Sequence, residues 1–334
     1  MISRKLVAAF LGGLLVLCGI QSKASAEVST LVLADQLSLA FLPAIVMRQN
    51  HLLEKHLKAA GLEKTGIKWA TFAGGSNAID AMLSGNLHIA FTGFMPFTLY
   101  WAKTGAVLGI AATSAQPEYF NTRNPKIKSI KDLTDKDKIG LPAVKISTQA
   151  TFLQMLAAKE FGEKNWDKLD RLTVSMSQPD ATAAVLSGEG AVNVAFVSQP
   201  YTHIMQKDPR IHTVFNTFDI LGGPSTLTVA WTSIKFHKEN PKTYQAFLDA
   251  YGEAMSIIAS DKRKAAQAYI DRAKSKLPVE DVVAIISSPD VIYSETPQNT
   301  MQVVRFMHKI GRINKEPASW KEMWFPNVQK LKGS

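Results

Sequence analysis

The chain has 334 residues, 46% of them hydrophobic and 20% charged, with 38 Lys and Arg against 28 Asp and Glu for a formal net charge of +10. Its one cysteine, Cys18, excludes an internal disulfide, a thiolate metal cage and an iron–sulfur cluster. A chain of this length can bury roughly three quarters of its unfolded surface without staples, and it suits two lobes better than one.

The first 26 residues read as an export signal. Arg4 and Lys5 form a positive start, an apolar run extends from Leu6 to Ile20, and Ala24-Ser25-Ala26 supplies the small residues a signal peptidase requires. The run is too short for a spanning helix, which needs about 20 residues. A lipid-acceptor cysteine follows a small residue, but Leu17 precedes Cys18, so cleavage after Ala26 and soluble secretion are expected. Removing this segment takes Arg4, Lys5 and Lys23 with it and leaves 308 residues with a net charge of +7. Basic and acidic residues interleave, as from Lys126 to Lys138, which marks a solvated surface. No zinc-finger, RNP or basic-helix pattern points to nucleic acid.

The mature chain opens with a short β-rich run, Ser29 to Ala34. Pro43 starts an amphipathic stretch in two helical pieces around Asn50. Ile67 to Phe72 alternates like a strand. Gly74-Gly75-Ser76 precedes a helix from Asn77 to Leu83 that Gly85 stops, and His88 to Thr92 is the next strand. A helix from about Pro96 to Thr104 and a strand from Val107 to Thr113 follow. This alternation predicts an α/β fold with a mostly parallel sheet covered on both faces.

The plan then repeats, with a strand at Lys138 to Pro142 and a helix from about Gln149 to Phe161 capped by Ser147 and Thr148. A strand at Leu172 to Ser175, a helix from Ala181 to Leu186 opened by Asp180, and a strand at Val192 to Val197 complete it. Segments 74–94 and 177–198 share one rhythm: a polar helix start, an alanine-rich helix, Leu-Ser-Gly, then a strand. Leu227 to Thr232 returns as a strand. The remainder is helical, Pro241 to Ala259, Lys262 to Ala273, Val279 to Ser287 and Pro297 to Ile310, with apolar faces such as Phe247, Tyr251 and Ile258. The chain is therefore expected to cross between lobes near Thr113–Pro117 and Leu221–Ser225. These crossings divide it into a first lobe, 27–115 plus 225–334, and a second, 116–224.

Ligands of open α/β sheets bind beyond the carboxyl ends of the strands. That rule selects Gln36 and Phe41, then Gly75, Ser76 and Asn77, then Thr92, Phe94 and Thr113. It continues with Lys145, Ser147, Thr148, Gln199 and Tyr201. Several precede helices, whose first amides lack internal partners and attract anions. Taken singly, each polar residue reads more readily as a plain N-cap than as a ligand contact, and their shared strand edge is what marks a site. Phe41, Phe94 and Tyr201 are candidate cleft aromatics, while Trp231 and Phe97 are expected in the core. The seven histidines show no metal spacing, and HExxH, GxSxG and P-loop motifs do not occur, so no catalytic residue, metal or cofactor is expected.

These segments resemble the nitrate/sulfonate/taurine-type periplasmic substrate-binding proteins of ABC transporters, a family that also includes binders of thiamine-pyrimidine precursors. The likeness is carried by Phe72 to Ala90, Ile127 to Leu133, Ala184-Val-Leu-Ser-Gly188 and Ser198-Gln-Pro-Tyr201. Phe236 to Leu248 and Phe306 to Gly311 complete it. The resemblance implies a two-lobed type II periplasmic-binding fold, two mixed sheets with a hinge, and delivery of a ligand to a membrane permease driven by a separate ATPase. It implies a monomer in the periplasm and no enzyme, because family members that make pyrimidines use a cysteine-rich motif and the mature chain has no cysteine. Two positions depart from the family pattern. Asn50 stands where a glycine usually breaks the first helix pair, and Val144-Lys145-Ile146-Ser147-Thr148 replaces a Gly-Ser. The basic charge and helix starts favour a small organic anion, a sulfonate or a carboxylate. The alternative ligand is a neutral or cationic heteroaromatic, which wants a carboxylate in the cleft, with Asp35 the nearest candidate. A secreted enzyme or sensor subunit on the same fold is a third reading.

Overall fold

A computed structural model describes residues 27–71, 81, 82 and 84–334. Among the described residues, ten strands form two five-stranded sheets. The first contains β1 (Thr30–Asp35), β2 (Gly66–Thr71), β3 (Ile89–Gly93), β4 (Val107–Ser114) and β10 (Thr228–Ser233), in the order β2-β1-β3-β10-β4. The second contains β5 (Tyr119–Thr122), β6 (Ile139–Leu141), β7 (Thr173–Ser175), β8 (Val194–Val197) and β9 (His212–Asn216), in the order β7-β6-β8-β5-β9.

Each sheet repeats one pattern. β1 pairs in parallel with β2 and β3, and β6 with β7 and β8. The fourth position of each is filled by a strand that has just crossed from the other sheet, and that strand runs antiparallel: β10 against β3 and β4, β5 against β8 and β9. An antiparallel strand puts its beginning where its neighbours end. Residues just before β5 and at the start of β10 therefore share an edge with the carboxyl ends of β1, β3, β6 and β8.

The helices described, in chain order, are α1 (Leu42–Gln49), α2 (Leu52–Ala59), α3 (Phe94–Thr104), α4 (Thr148–Phe161), α5 (Gln178–Ser187), α6 (Tyr201–Gln206) and α7 (Thr217–Leu221). They continue as α8 (Ile234–Glu239), α9 (Pro241–Ser260), α10 (Lys262–Ala273), α11 (Val279–Ile286), α12 (Thr300–Lys309) and α13 (Pro326–Gln329). The first sheet is covered on both faces. Leu31, Leu33, Ile89 and Phe91 pack on α1, α9 and α10 through Ile45, Phe247, Tyr251 and Tyr269. On the other face Phe94, Phe97, Trp231 and Trp324 form a second cluster. Phe97 and Trp231 are fully buried, as expected of core aromatics.

Three local readings need correction. The left-handed residue between α1 and α2 is His51, with φ 51°, while Asn50 keeps φ −99°. Asn50 instead turns its amide back to Val46 O at 2.9 Å. Strands β5 and β9 were not expected, because their alternation is broken by polar residues. Asn121 in β5 is fully buried, and its side chain bonds Thr202 Oγ1 at 3.1 Å and Thr213 Oγ1 at 2.7 Å. Hydrogen bonds there replace the apolar contacts that pattern reading looks for. The helix expected from Pro297 begins at Thr300, after Asn299 at φ 51°.

Candidate functional site

The shared strand edge of the two sheets encloses a cavity of about 40 Å³. One water needs roughly 10–15 Å³ on this measure, so the cavity admits a group of a few atoms. The first sheet's side of the wall is Gln36, Ala40 and Phe41 after β1, Gly93 and Pro96 after β3, and Leu227 and Thr228 at β10. The second contributes Glu118 before β5, Pro142, Ala143 and Ile146 to Gln149 after β6, Gln178 at the start of α5, and Ser198 after β8.

Helix α4 supplies the most specific chemistry. Ser147 is its N-cap, and its Oγ accepts from Ala150 N at 3.2 Å. The amides of the first turn lack intrahelical acceptors, so this helix start presents a partial positive charge. Thr148 is buried, and its hydroxyl finds no partner in the protein. A buried hydroxyl without a partner costs about 1–3 kcal/mol, which a ligand acceptor would relieve. Opposite α4, Gln178 Oε1 accepts from both Ser198 N at 2.7 Å and Ser198 Oγ at 2.9 Å. Thr228 Oγ1 is tied to Thr113, Ser114 and Ala40 O at 2.6 to 3.0 Å.

Glu118 is the wall's titratable group among the described residues. It is buried, its Oε1 accepts from Gln149 Nε2 at 2.5 Å, and Oε2 has no partner in the protein. Burial pushes its pKa up to about 8, against a smaller opposing pull from the Gln149 hydrogen bond. At neutral pH it is therefore an acid carrying its proton.

The expected site residues divide by where they lie. Gln36, Phe41, Ser147 and Thr148 stand in the wall. Gly75, Ser76 and Asn77 fall outside the described residues. Thr92 and Thr113 lie one layer behind the wall, since Thr92 Oγ1 accepts from Trp231 Nε1 at 2.9 Å and Thr113 braces Thr228. Phe94 is fully buried against Phe97 in the core beneath Gly93. Tyr201 packs with Val197 and Met205, and its hydroxyl donates to Leu37 O at 2.5 Å. Gln199 gives its backbone oxygen to Leu39 N at 3.0 Å. These last two residues join the sheets beside the cavity. Lys145 is exposed at φ 67°, and its carbonyl accepts from Arg312. It is not part of the cavity wall, whereas Ile146 and Ser147 are.

Asp35 is not a cleft carboxylate. It is fully buried and held by Arg272 at 3.0 Å and Arg48 at 3.3 Å. Among the described residues the carboxyl in the cavity wall is that of Glu118, which sequence reading passed over, as it did Gln149, Gln178 and Thr228. Among the described residues no group of three His, Cys, Asp or Glu is placed to hold a metal ion, and no helix is long and apolar enough to cross a membrane.

No family model matches the sequence, and no curated protein does. Solved structures share its fold. The alkanesulfonate-binding protein SsuA of Xanthomonas axonopodis pv. citri, bound to MOPS, superposes with a TM-score of 0.70 at 16% identity, over 90% of this chain and 99% of that one. The periplasmic aliphatic sulphonate-binding protein SsuA of Escherichia coli gives a TM-score of 0.64 at 16% identity, over 92% and 95%. The periplasmic nitrate-binding protein NrtA of Synechocystis gives 0.65 at 15% identity, over 91% and 86%. The chain has the two-lobed α/β fold of these periplasmic binding proteins.

Proposed function

We propose that this chain is the solute-binding component of an ABC importer and not an enzyme. It traps a small organic anion, a sulfonate or a carboxylate, between lobes 27–115 plus 225–334 and 116–224. The loaded protein then docks on a permease whose transport is driven by a separate ATPase subunit. The observation that carries the reading is the cavity between the sheets, where the start of α4 and the unpartnered Thr148 hydroxyl converge. The sulfonate- and nitrate-binding proteins that share the fold support the same ligand class. Export to the periplasm follows from the segment ending at Ala26, with the mature monomer starting at Glu27. Gln36, Phe41, Ser147 and Thr148 meet the ligand directly in this reading. Gly75, Ser76 and Asn77, which lie outside the described residues, belong to the same proposed ligand-binding set.

A thermal-shift screen of small sulfonates, carboxylates, nitrate, amines and pyrimidines tests this. A ligand at a hundredfold excess over its dissociation constant stabilises by about 2.7 kcal/mol. At least one acid is expected to raise the midpoint. A shift with an amine or pyrimidine and with no acid would refute the anion assignment. That outcome would favour the heteroaromatic reading, for which Glu118 rather than Asp35 is the available carboxyl.

A further inference from the structure

Glu118 occupies an unusual place for an acid. It sits where the chain enters β5 from the first sheet, in the wall of a cavity, with its carboxyl buried. Its backbone is fixed by Thr217, whose Oγ1 accepts from Glu118 N at 3.1 Å and whose amide donates to Glu118 O at 3.0 Å. The two carboxyl oxygens are not equivalent. Gln149 Nε2 is a pure donor, so Oε1 acts as the acceptor. A proton on the carboxyl therefore resides on Oε2, the oxygen that has no partner in the protein.

We propose that Glu118 is a specificity-determining residue of this cavity: as a neutral acid it donates its Oε2 proton to the anionic group of the ligand, and once ionised it excludes anions. The inference rests on the anion-binding reading above and deepens it.

Its surroundings carry the argument. Gln36 and Phe41 face the cavity from the β1 edge, Thr148 and Gln149 from α4, Gln178 from α5 and Ser198 from β8. None of these is charged, so among the described residues no cation in the wall would hold Glu118 ionised. The neighbouring Tyr119 has its own pKa raised by burial and adds no positive charge. A carboxylate in such a place would be buried without compensation, which is expensive. A neutral carboxyl hydrogen-bonded through both oxygens is not. An anion supplies the missing acceptor, while the start of α4 and the Thr148 hydroxyl take its other oxygens.

The sign of the linkage follows. Glu118 carries its proton below about pH 8, and there anion affinity is constant. Above that point the free protein loses the proton and must take it back to bind. Affinity then falls by up to about tenfold per pH unit.

The test is calorimetric titration of the full-length mature protein with ethanesulfonate and with benzoate, from about pH 6 to about pH 9.5. Both acids are fully ionised over this range, so any change belongs to the protein. Titrations in buffers of different ionisation enthalpy measure proton uptake. The parent is expected to show flat affinity at the acid end, a decline above about pH 8, and uptake approaching one proton per ligand at the alkaline end. Glu118→Gln is expected to remove both the decline and the uptake. If that variant does not fold, the parent's proton uptake decides alone. A pH-independent parent, or a variant that keeps the slope, overturns the proposal while leaving the anion site intact. Failure of every anion to bind at any pH overturns the anion site itself. A cation that binds more tightly as pH rises would assign Glu118 the opposite role.

Discussion

Gly93→Ala probes the cleft by geometry rather than by chemistry. Gly93 is the N-cap of α3 with φ −59°, a conformation open to any residue, so its lack of a side chain is a matter of space. A methyl built there would stand under 3.0 Å from Thr148 Oγ1, with Thr148 Cβ at 3.6 Å and Pro96 Cδ at 3.5 Å. Gly93 ends a strand of the first sheet and Thr148 starts a helix over the second, so the clash arises across the cleft. It penalises the state in which the lobes meet and leaves each lobe's own packing alone. Overpacking of this size costs about 1–3 kcal/mol, equivalent to a loss in ligand affinity of roughly 5–150-fold. Calorimetry with the best acid from the thermal screen reads the loss, and small-angle scattering should show a larger radius than the parent in the presence of ligand. Thr148→Ala removes the obstacle, so in a double-mutant cycle the Gly93→Ala penalty should largely disappear in that background. Parent-like binding by Gly93→Ala, or the same penalty in both backgrounds, would refute the cross-cleft contact.

Two further substitutions separate roles that the fold brings close together. Thr148→Val keeps the shape and removes an unpartnered buried hydroxyl, so the ligand-free protein should be as stable or more stable in urea, while anion binding weakens by about 1–3 kcal/mol. A variant that loses stability and keeps its affinity would mean that the hydroxyl serves the fold. Asp35→Ala takes the carboxylate from between Arg48 and Arg272. Breaking a buried pair costs about 3–5 kcal/mol, and the lower end is expected because the Arg48 side chain is 30% exposed. Urea denaturation should show this loss whether or not ligand is present, and a neutral result would remove the pair from the account of the first lobe's stability.

The parts of the fold that were legible are those whose physics repeats along the chain. β1, β3 and β8 are short apolar runs, and α9 carries an apolar stripe on its buried face. β5 and β9 escaped because their stabilisation passes through Asn121, Thr202 and Thr213 rather than through apolar alternation. The site divides along a similar line. A rule that points to the carboxyl ends of strands selects the cavity-wall residues Gln36, Phe41, Ser147 and Thr148, which follow parallel strands. It passes over Glu118 and Thr228 because these stand at the beginnings of β5 and β10, and an antiparallel strand brings its beginning to that same edge. The available clue was the crossing itself: a lone acid at Gln116-Pro117-Glu118, just past the point where the chain leaves the first sheet. Lys145 misled for a different reason. Sequence proximity to Ser147 says nothing of direction, and the Lys145 side chain is exposed and lies outside the wall that its neighbours build.

What holds the lobes together beside the cavity is decided by where the contacts lie. Two ion pairs join segment 225–334 to segment 116–224, Lys309 with Glu163 and Lys207 with Asp281. Their lysines are more than half exposed, so water and salt screen both pairs and they contribute little to closure. The contacts next to the cavity differ in kind. Leu39 N donates to Gln199 O, and the Tyr201 hydroxyl donates to Leu37 O, between a segment of the first lobe and one of the second. Tyr201 is buried, and Leu39 is fully so. Hydrogen bonds in such places are costly to leave unmade, so they favour a cleft that is either properly seated or open to water over one held part-way. Gln199 and Tyr201, chosen from sequence as ligand contacts, thus lie where they can register closure. In the proposed reading the ligand's own contribution then falls to the α4 start, Thr148 and Glu118, where Thr148 Oγ1 and Glu118 Oε2 lack partners in the protein.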